Sequence, residues 1–530
     1  MNQRRQEAKL GRRGFLGAAS SLALAARSGR AAKARPNVLY IMTDQQHAGM
    51  MSCTGNRWLN TPAMDSLAAS GARFELAYSA NPVCVPARTS MMTGRYPSHF
   101  GIQTNKAPQM PTEAFSAALG NLFRGAGYRT VFGGKTHWPR PMTPAAIGFE
   151  YLTKDERDEL ADTCARFLRQ KHEQPFLMVA SFINPHDICL MAIDAYTKAN
   201  NLPPMYPELE IDRQRLAEAL ALPRGVSREE FFRKHCPPLP VNHAPTKGEP
   251  DVLGRYGSFR GYVRKHWTAE EWRMHRWAYC RLTERVDAEI GRVLEALRET
   301  GLDRHTVVVF SSDHGDLDAA HGFEHKSLSY EESARVPFIV SWPGHTPCRV
   351  DARHLVSASV DLLPTLCDYA SIEAPTGLPG RSVRGLVENG GQAGWREDVV
   401  IECGDSRAIR TSRFKYTLFK GAAPREMLID MEKDPGEMTN LAADPAYSKV
   451  VADHRARLRR HGEQLRDEVG LSLFAAASAA PSGASFEKGA WRCAPWSCGA
   501  LHAVRLLYAT GDLGIRVPAG LTVEEFVGLL

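Results

Sequence analysis

The chain has 530 residues, enough to bury a large core, and its 43% hydrophobic and 24% charged content is ordinary for a globular protein. Its formal charge of +7 belongs to the leader, because residues 1–35 hold nine Lys or Arg against one Glu, a net +8 that leaves the rest near −1. That balance gives no basic surface for nucleic acid or an anionic membrane, and eleven scattered cysteines exclude a dense disulfide scaffold.

In chain order, residues 1–34 come first, with Arg12-Arg13-Gly14-Phe15-Leu16 ahead of an Ala-rich apolar stretch ending at Ala26. The stretch is too short to span a bilayer, and the segment resembles a twin-arginine export signal. It predicts a twin-arginine translocase as partner, cleavage after Ala25 or Ala34, and an exported, periplasmic or secreted bacterial protein. No later stretch is apolar enough for a transmembrane helix.

Four apolar runs then end in polar, chemically capable residues. Asn37 to Met42 leads into Thr43-Asp44-Gln45-Gln46, and Tyr128 to Phe132 into Gly133-Gly134-Lys135-Thr136-His137. Phe176 to Phe182 leads into Asn184-Pro185-His186-Asp187, and Thr306 to Phe310 into Ser311-Ser312-Asp313-His314-Gly315-Asp316. Continuous apolar runs of this length read as buried parallel strands, and ligands of open α/β sheets bind beyond the strands' carboxyl ends.

Between the first two runs lies Cys84-Val85-Pro86-Ala87-Arg88-Thr89-Ser90-Met91-Met92-Thr93-Gly94. Pro86 suits a first helical turn and Gly94 a helix stop, so Cys84 falls at a helix N-terminus, where an anion is favoured and Arg88 adds fixed charge. Further on, residues 191–265 carry Pro203-Pro204, Pro237-Pro238 and many charges and read as an insertion over the active-site face. Thr268-x-x-Glu271 is a capping box for a helix running to about Thr300, stopped by Gly301, with the strand at 306 following as in a crossover unit. Val336 to Trp342 predicts a last core strand.

The predicted fold is α/β: a large mixed, mostly parallel sheet flanked by helices over residues 35–395, with a smaller C-terminal α+β subdomain over 396–470. Residues 471–530 read as an Ala/Ser/Pro-rich linker and a tail with no assigned role, in which Cys493 and Cys498 are spaced to pair.

Asp44, Asp313 and His314 are ligand types for a divalent cation, with the side-chain oxygen of Gln45 as a further donor. Such a cation polarises a bound oxygen and favours deprotonation of a nucleophile placed at Cys84.

The run Cys-x-Pro-x-Arg with its later Gly resembles the site at which type I sulfatases, members of the alkaline phosphatase superfamily, convert a cysteine to formylglycine. The resemblance covers roughly residues 35–470. It extends to Asp361-Leu362-Leu363-Pro364-Thr365, Arg410 to Tyr416 and Asp434-Pro435-Gly436-Glu437. It implies a sulfuric ester hydrolase in which one hydroxyl of a formylglycine hydrate, made from Cys84 by a formylglycine-generating enzyme, attacks sulfur and the other expels sulfate. By the same resemblance Lys135 binds sulfate, His137 bonds the hydroxyl driving elimination, His186 contacts the sulfate or leaving group, and Lys326 faces the ester oxygen. Cys84 joins the metal ligands. Calcium is the family's metal, with magnesium or manganese open, because Gln45 stands where relatives usually carry a second Asp. The substrate implied is a sulfate ester, most readily of a sugar. The alternatives are a phosphodiester or phosphonate monoester hydrolase of the same superfamily, and a sulfated-glycan-binding protein without catalysis.

Overall fold

A strand that is apolar at every position can be buried only if both its faces are covered, and the architecture follows from that demand. The structure, a computed structural model, describes residues 35–475 except residue 256. The twin-arginine segment with its cleavage sites, and the tail with Cys493 and Cys498, lie outside the described residues.

The strands are β1 (Asn37–Asp44), β2 (Gly71–Phe74), β3 (Ala77–Tyr78), β4 (Arg129–Gly134), β5 (Glu150–Thr153), β6 (Phe176–Pro185), β7 (Thr306–Ser312), β8 (Phe338–Ser341), β9 (Arg349–Asp351), β10 (Val356–Ser357), β11 (Asp398–Cys403), β12 (Ser406–Thr411), β13 (Phe414–Phe419) and β14 (Glu426–Asp430). Eight form one sheet in the order β5-β4-β6-β1-β7-β8-β2-β9. It is parallel throughout except for β8, which runs antiparallel to β7 and β2. β3 pairs with β10, and β11 to β14 form a separate antiparallel meander. The expected class, a mostly parallel α/β sheet followed by a smaller α+β unit, is the one observed.

β1 sits centrally, and its alternate residues serve two cores. Val38, Tyr40 and Met42 pack with Met91 and Met92 of the helix Cys84–Thr93, whereas Leu39 and Ile41 pack with Val286, Ile290 and Val293 of the helix Ala269–Glu299. The second helix starts at the predicted capping box, with both reciprocal hydrogen bonds of Thr268 and Glu271 formed, and ends before Gly301 in the left-handed region at φ 70°. Because Ile290 is fully buried against the sheet, its truncation to Ala would cost about 2–5 kcal/mol.

One boundary differs from expectation. The strand expected over 336–342 spans Phe338–Ser341, since Val336 donates its N–H to Ala77 and Pro337 has none to give, and β9 follows it as the last strand of the sheet. The segment read as an insertion carries the helices Glu210–Leu220 and Ser258–His266.

Candidate active site

The carboxyl ends of β1, β4, β6 and β7 deliver Asp44, Lys135, His186 and Asp313-His314 to one place, facing the start of the Cys84 helix. All ten residues of that helix are buried, which suits a helix that is apolar or engaged all round rather than amphipathic. Gly94 stops it at φ 68°, its N–H bonding Ser90 O at 2.7 Å. At the other end Asn105 Oδ1 accepts the N–H of Val85 at 3.1 Å, so a side chain caps one of the orphan donors beside Cys84. Gly134 is required where Lys135 enters: a Cβ there would stand 2.1 Å from the Ser181 carbonyl.

Arg88 organises the floor. It donates to Asp313 Oδ2 at 2.7 Å, Asp44 Oδ2 at 2.8 Å, and the Lys135 carbonyl and Ser181 Oγ, both at 2.8 Å. Lys135 Nζ adds a contact to Asp44 Oδ2 at 2.9 Å. Above this floor, the Cys84 sulfur lies 3.1 Å from both Lys326 Nζ and His314 Nε2.

The electrostatics follow from burial and crowding. Burial and Asp44 raise the Cys84 thiol, but Lys326, His314 and Lys135 outweigh them and hold it well below its ordinary value. Burial would lift Asp44, yet Lys135, His186 and Arg88 keep it well below the usual carboxylate range. Asp313 goes the other way, raised by burial and by Asp44 despite His314 and Arg88. For His186, burial and then Lys135 and Lys326 press the imidazole down to about 3, against Asp44 and a hydrogen bond with Cys84, so the ring is neutral. Lys326, lowered by burial but raised further by Cys84, Cys189 and Asp44, stays charged.

One corner of the site suits a cation. His314 Nδ1 faces the Gly315 carbonyl at 2.9 Å, which fixes its proton there and turns Nε2 inward, 3.8 Å from Asp44 Oδ1 and 3.6 Å from Asp313 Oδ1. Donor atoms of Asp44, Cys84, Asp313 and His314 all lie within 4.8 Å of one another. Against the effect of burial, Asp313 raises the His314 imidazole, which marks a position between the carboxylates where positive charge is favoured. Two hard oxygens and an imidazole fit a divalent cation.

Two predicted site residues have distinctive settings. Gln45 reaches the cluster through its backbone, donating to Asp313 Oδ1 at 3.1 Å, while its side-chain oxygen is engaged by other donors. The left-handed backbone at φ 68° turns the amide so that its oxygen accepts from Lys326 at 2.8 Å and the Cys189 thiol at 3.0 Å, and its nitrogen donates to Asp316 at 2.7 Å. His137, at φ 44°, is exposed and has no hydrogen-bond partner among the described residues. Cys84, Arg88, Lys135, His186, Lys326, Asp44, Asp313 and His314 are brought together. Asp316, Ser181 and Cys189 also reach the site; Asp316 belongs to the Asp-His-Gly-Asp run after β7, while nothing local in the sequence marks the other two.

Two clefts of similar size, about 610 and 630 Å³, are lined by residues such as Arg95, Arg381 and Arg457 and contain none of this cluster. A third, of about 620 Å³, is lined by Val83 and Ser327, the chain neighbours of Cys84 and Lys326.

Comparison with known proteins agrees with this geometry. The sulfatase family model matches residues 36–372, and the model of the C-terminal region of N-sulphoglucosamine sulphohydrolase matches residues 319–464. A Δ4,5-hexuronate-2-O-sulfatase of Bacteroides thetaiotaomicron is 29% identical over 461 residues, covering 82% of this chain and 91% of that one. The solved structure of a 2-O glycosaminoglycan sulfatase superposes with a TM-score of 0.68 at 28% identity, covering 82% and 93% of the two chains. A phosphonate monoester hydrolase of Agrobacterium radiobacter shares the fold at TM-score 0.62 and 22% identity, covering 83% and 96%. With a family model spanning well over half its length and a cysteine, lysine and paired-aspartate cluster built at the strand ends, the chain belongs to the sulfatases of the alkaline phosphatase superfamily and is a sulfuric ester hydrolase.

Proposed function

We propose that this enzyme hydrolyses a sulfate ester of a carbohydrate, using formylglycine made from Cys84 and a divalent cation, calcium first, held by Asp44, Asp313 and His314 beside residue 84. The observation that carries the reading is the placement of the Cys84 sulfur 3.1 Å from both Lys326 Nζ and His314 Nε2, at a helix start whose fourth following residue, Arg88, spans Asp44 and Asp313. When present, the formylglycine hydrate and cation supply a nucleophilic hydroxyl and a polarised sulfate oxygen. The carbohydrate class is supported by the activities of the hexuronate and glycosaminoglycan sulfatases that the chain resembles.

The chain's own groups then have distinct tasks. Lys135 and Lys326 neutralise sulfate oxygens in a site closed to bulk water, where a fixed cation stabilises developing charge far more than it does in solution. Lys326 also faces the position of the ester oxygen and offsets its charge as the S–O bond breaks. His186, neutral at physiological pH, accepts or passes a proton beside the leaving group without adding charge. Overall, water's oxygen ends on sulfur and one of its protons on the released alcohol. Export by the twin-arginine pathway, after modification of Cys84 by a formylglycine-generating enzyme, belongs to the same proposal.

The test is mass spectrometry of the peptide containing residue 84, from protein made with an active formylglycine-generating enzyme, together with assays on sulfated sugars and aryl sulfates. Loss of sulfur and gain of an aldehyde, with sulfate release, is the expected result. Active protein with an intact Cys84 would refute it.

A further inference from the structure

On either side of Lys326 in the chain stand two residues that meet a third from the C-terminal subdomain. His321 lies in the turn after β7, Glu332 on the short helix Glu331–Ala334, and Glu437 in the segment after β14. One ligand atom from each lies within 4.8 Å of the other two. Carboxylates gather for many reasons, and it is the state of His321 that singles this cluster out.

His321 is fully buried. Its Nδ1 stands 3.2 Å from Thr246 Oγ1, and that hydroxyl gives its single proton to the Glu437 carbonyl at 2.8 Å, so the proton between ring and hydroxyl belongs to Nδ1. The lone pair is left on Nε2, which has no hydrogen-bond partner among the described residues. A buried acceptor with nothing to accept costs about 1–3 kcal/mol and calls for a reason. The backbone is constrained as well: φ is 55°, in the left-handed region, and Tyr330 stacks on the ring with centroids 3.8 Å apart.

The two carboxylates repeat the pattern of one atom tied and one left over. Glu332 Oε1 accepts from Asn242 Nδ2 at 2.9 Å, while Oε2 is buried without a hydrogen-bond partner among the described residues. Glu437 Oε2 accepts the Glu331 N–H at 2.7 Å, while Oε1 touches Lys415 Nζ at 2.6 Å. The Asn242 carbonyl also accepts the His321 N–H at 2.7 Å, so one residue orients two of the three. Outer groups fix metal ligands in this manner. Glu331 is matched by Arg335 at 3.0 Å and Arg410 at 3.9 Å, and Glu437 by Lys415, whereas Glu332 has no ion pair among the described residues.

We propose that His321, Glu332 and Glu437 hold a divalent transition-metal ion, zinc first, at a site separate from the cation corner of Asp44, Asp313 and His314. An imidazole with two carboxylates suits zinc or manganese, whereas calcium takes oxygen ligands. Because Lys326 lies between His321 and Glu332, the ion clamps both ends of its loop, and Glu437 ties that loop to the C-terminal subdomain. The assignment goes beyond the sulfatase reading and holds whichever ester the enzyme cleaves.

The test strips the full-length enzyme with chelator, dialyses it against zinc in excess calcium, and counts zinc by plasma mass spectrometry beside the thermal midpoint. Asp313→Asn, which breaks the other site, should keep one zinc per chain and a zinc-dependent rise in midpoint. Glu332→Gln and His321→Asn should weaken zinc binding by about a hundredfold or more and lose that rise. Asn is chosen at 321 because it tolerates the left-handed backbone. Should that variant fail to fold, Glu332→Gln, at a half-buried position, decides by itself. Manganese bound in place of zinc, and lost in Glu332→Gln, supports the same site. Neither metal retained by the unmutated protein, or metal retained equally by Glu332→Gln, overturns the proposal.

Discussion

Arg88 Nε donates to Asp313 Oδ2 at 2.7 Å, with both side chains fully buried. The same planar group holds Asp44, Ser181 and the Lys135 carbonyl, so one residue fixes the ends of four strands relative to the nucleophile helix. Buried ion pairs return little net stability, but removing part of one leaves charge unpaired at a cost of about 3–5 kcal/mol. Arg88→Lys keeps the charge and cannot span these acceptors. It should lower unfolding stability by about 2–4 kcal/mol, read in denaturant titrations, and kcat by a hundredfold or more. Wild-type stability in this variant would show that the fork is dispensable.

Lys326 bonds both Cys84 Sγ and Gln45 Oε1, which places its charge over the reacting position. If it stabilises the leaving oxygen, Lys326→Met should cost most where the alcohol leaves poorly. The expected loss is about 10²–10³ in kcat on a sugar sulfate, in line with removal of one well-placed donor, and at most tenfold on nitrophenyl sulfate. Equal losses on both substrates would assign Lys326 to sulfate binding alone.

A cation in the corner made by Asp44, Asp313 and His314 predicts a second, activity-independent signature. Chelation should inactivate the enzyme and lower its thermal midpoint, and calcium should restore both. A ligand at one hundred times its Kd contributes about 2.7 kcal/mol. Asp313→Asn should abolish the calcium-dependent shift in midpoint. A midpoint indifferent to chelator in active protein would exclude the site.

Much of this architecture was legible because continuous apolar runs cannot be buried any other way, and because Pro86, Gly94, Thr268, Glu271 and Gly301 punctuate helices by their own backbone chemistry. Motif spacing predicted which residues reach the strand ends but not how they turn. Gln45 and His137 both take positive φ, which reverses side-chain direction relative to a continued strand, and so the amide meets Lys326 while the imidazole faces solvent. The buried ion network of Glu331 and Glu437 around Lys415, at 3.0 and 2.6 Å, joins segments 84 and 22 residues apart along the chain. No local pattern announces such a pairing.

Glu289 gives a pH prediction away from the site. It is buried on the helix Ala269–Glu299 with Oε1 unpartnered, and burial first, then Asp158, pushes its carboxyl up to about 8, against Arg285 and Arg292. The native state therefore keeps a proton that the unfolded chain releases near pH 4.5. Stability from this group is present at low pH and declines as pH rises from about 4.5 to 8, by up to a few kcal/mol. Glu289→Gln, which has nothing to titrate, should raise the thermal midpoint at pH 8 and leave it nearly unchanged at pH 4.5. An equal shift at both pH values would mean packing rather than ionisation is responsible.

The charge around Gln45 bears on sulfate against phosphate. Lys135, Lys326 and Arg88 face Asp44 and Asp313, with Glu156 and Glu324 also within electrostatic reach of the two lysines, while Gln45 contributes a neutral oxygen 2.8 Å from Lys326. A sulfate monoester carries one negative charge and a phosphate monoester up to two, so surplus positive charge favours tolerance of both. The unmutated enzyme should therefore act mainly on sulfate with measurable phosphate ester hydrolysis. Gln45→Glu keeps the side chain's length and its contact with Lys326 but adds a negative charge and loses the donor to Asp316. It should lower kcat/KM for both esters and lower the phosphate reaction at least tenfold more, a difference of about 1.4 kcal/mol. Matched aryl sulfate and aryl phosphate esters measure the ratio directly. If the ratio does not move, Gln45 acts by positioning Lys326 and not by setting the charge balance; if phosphate is preferred by orders of magnitude before mutation, the enzyme is a phosphoester hydrolase built on the sulfatase site.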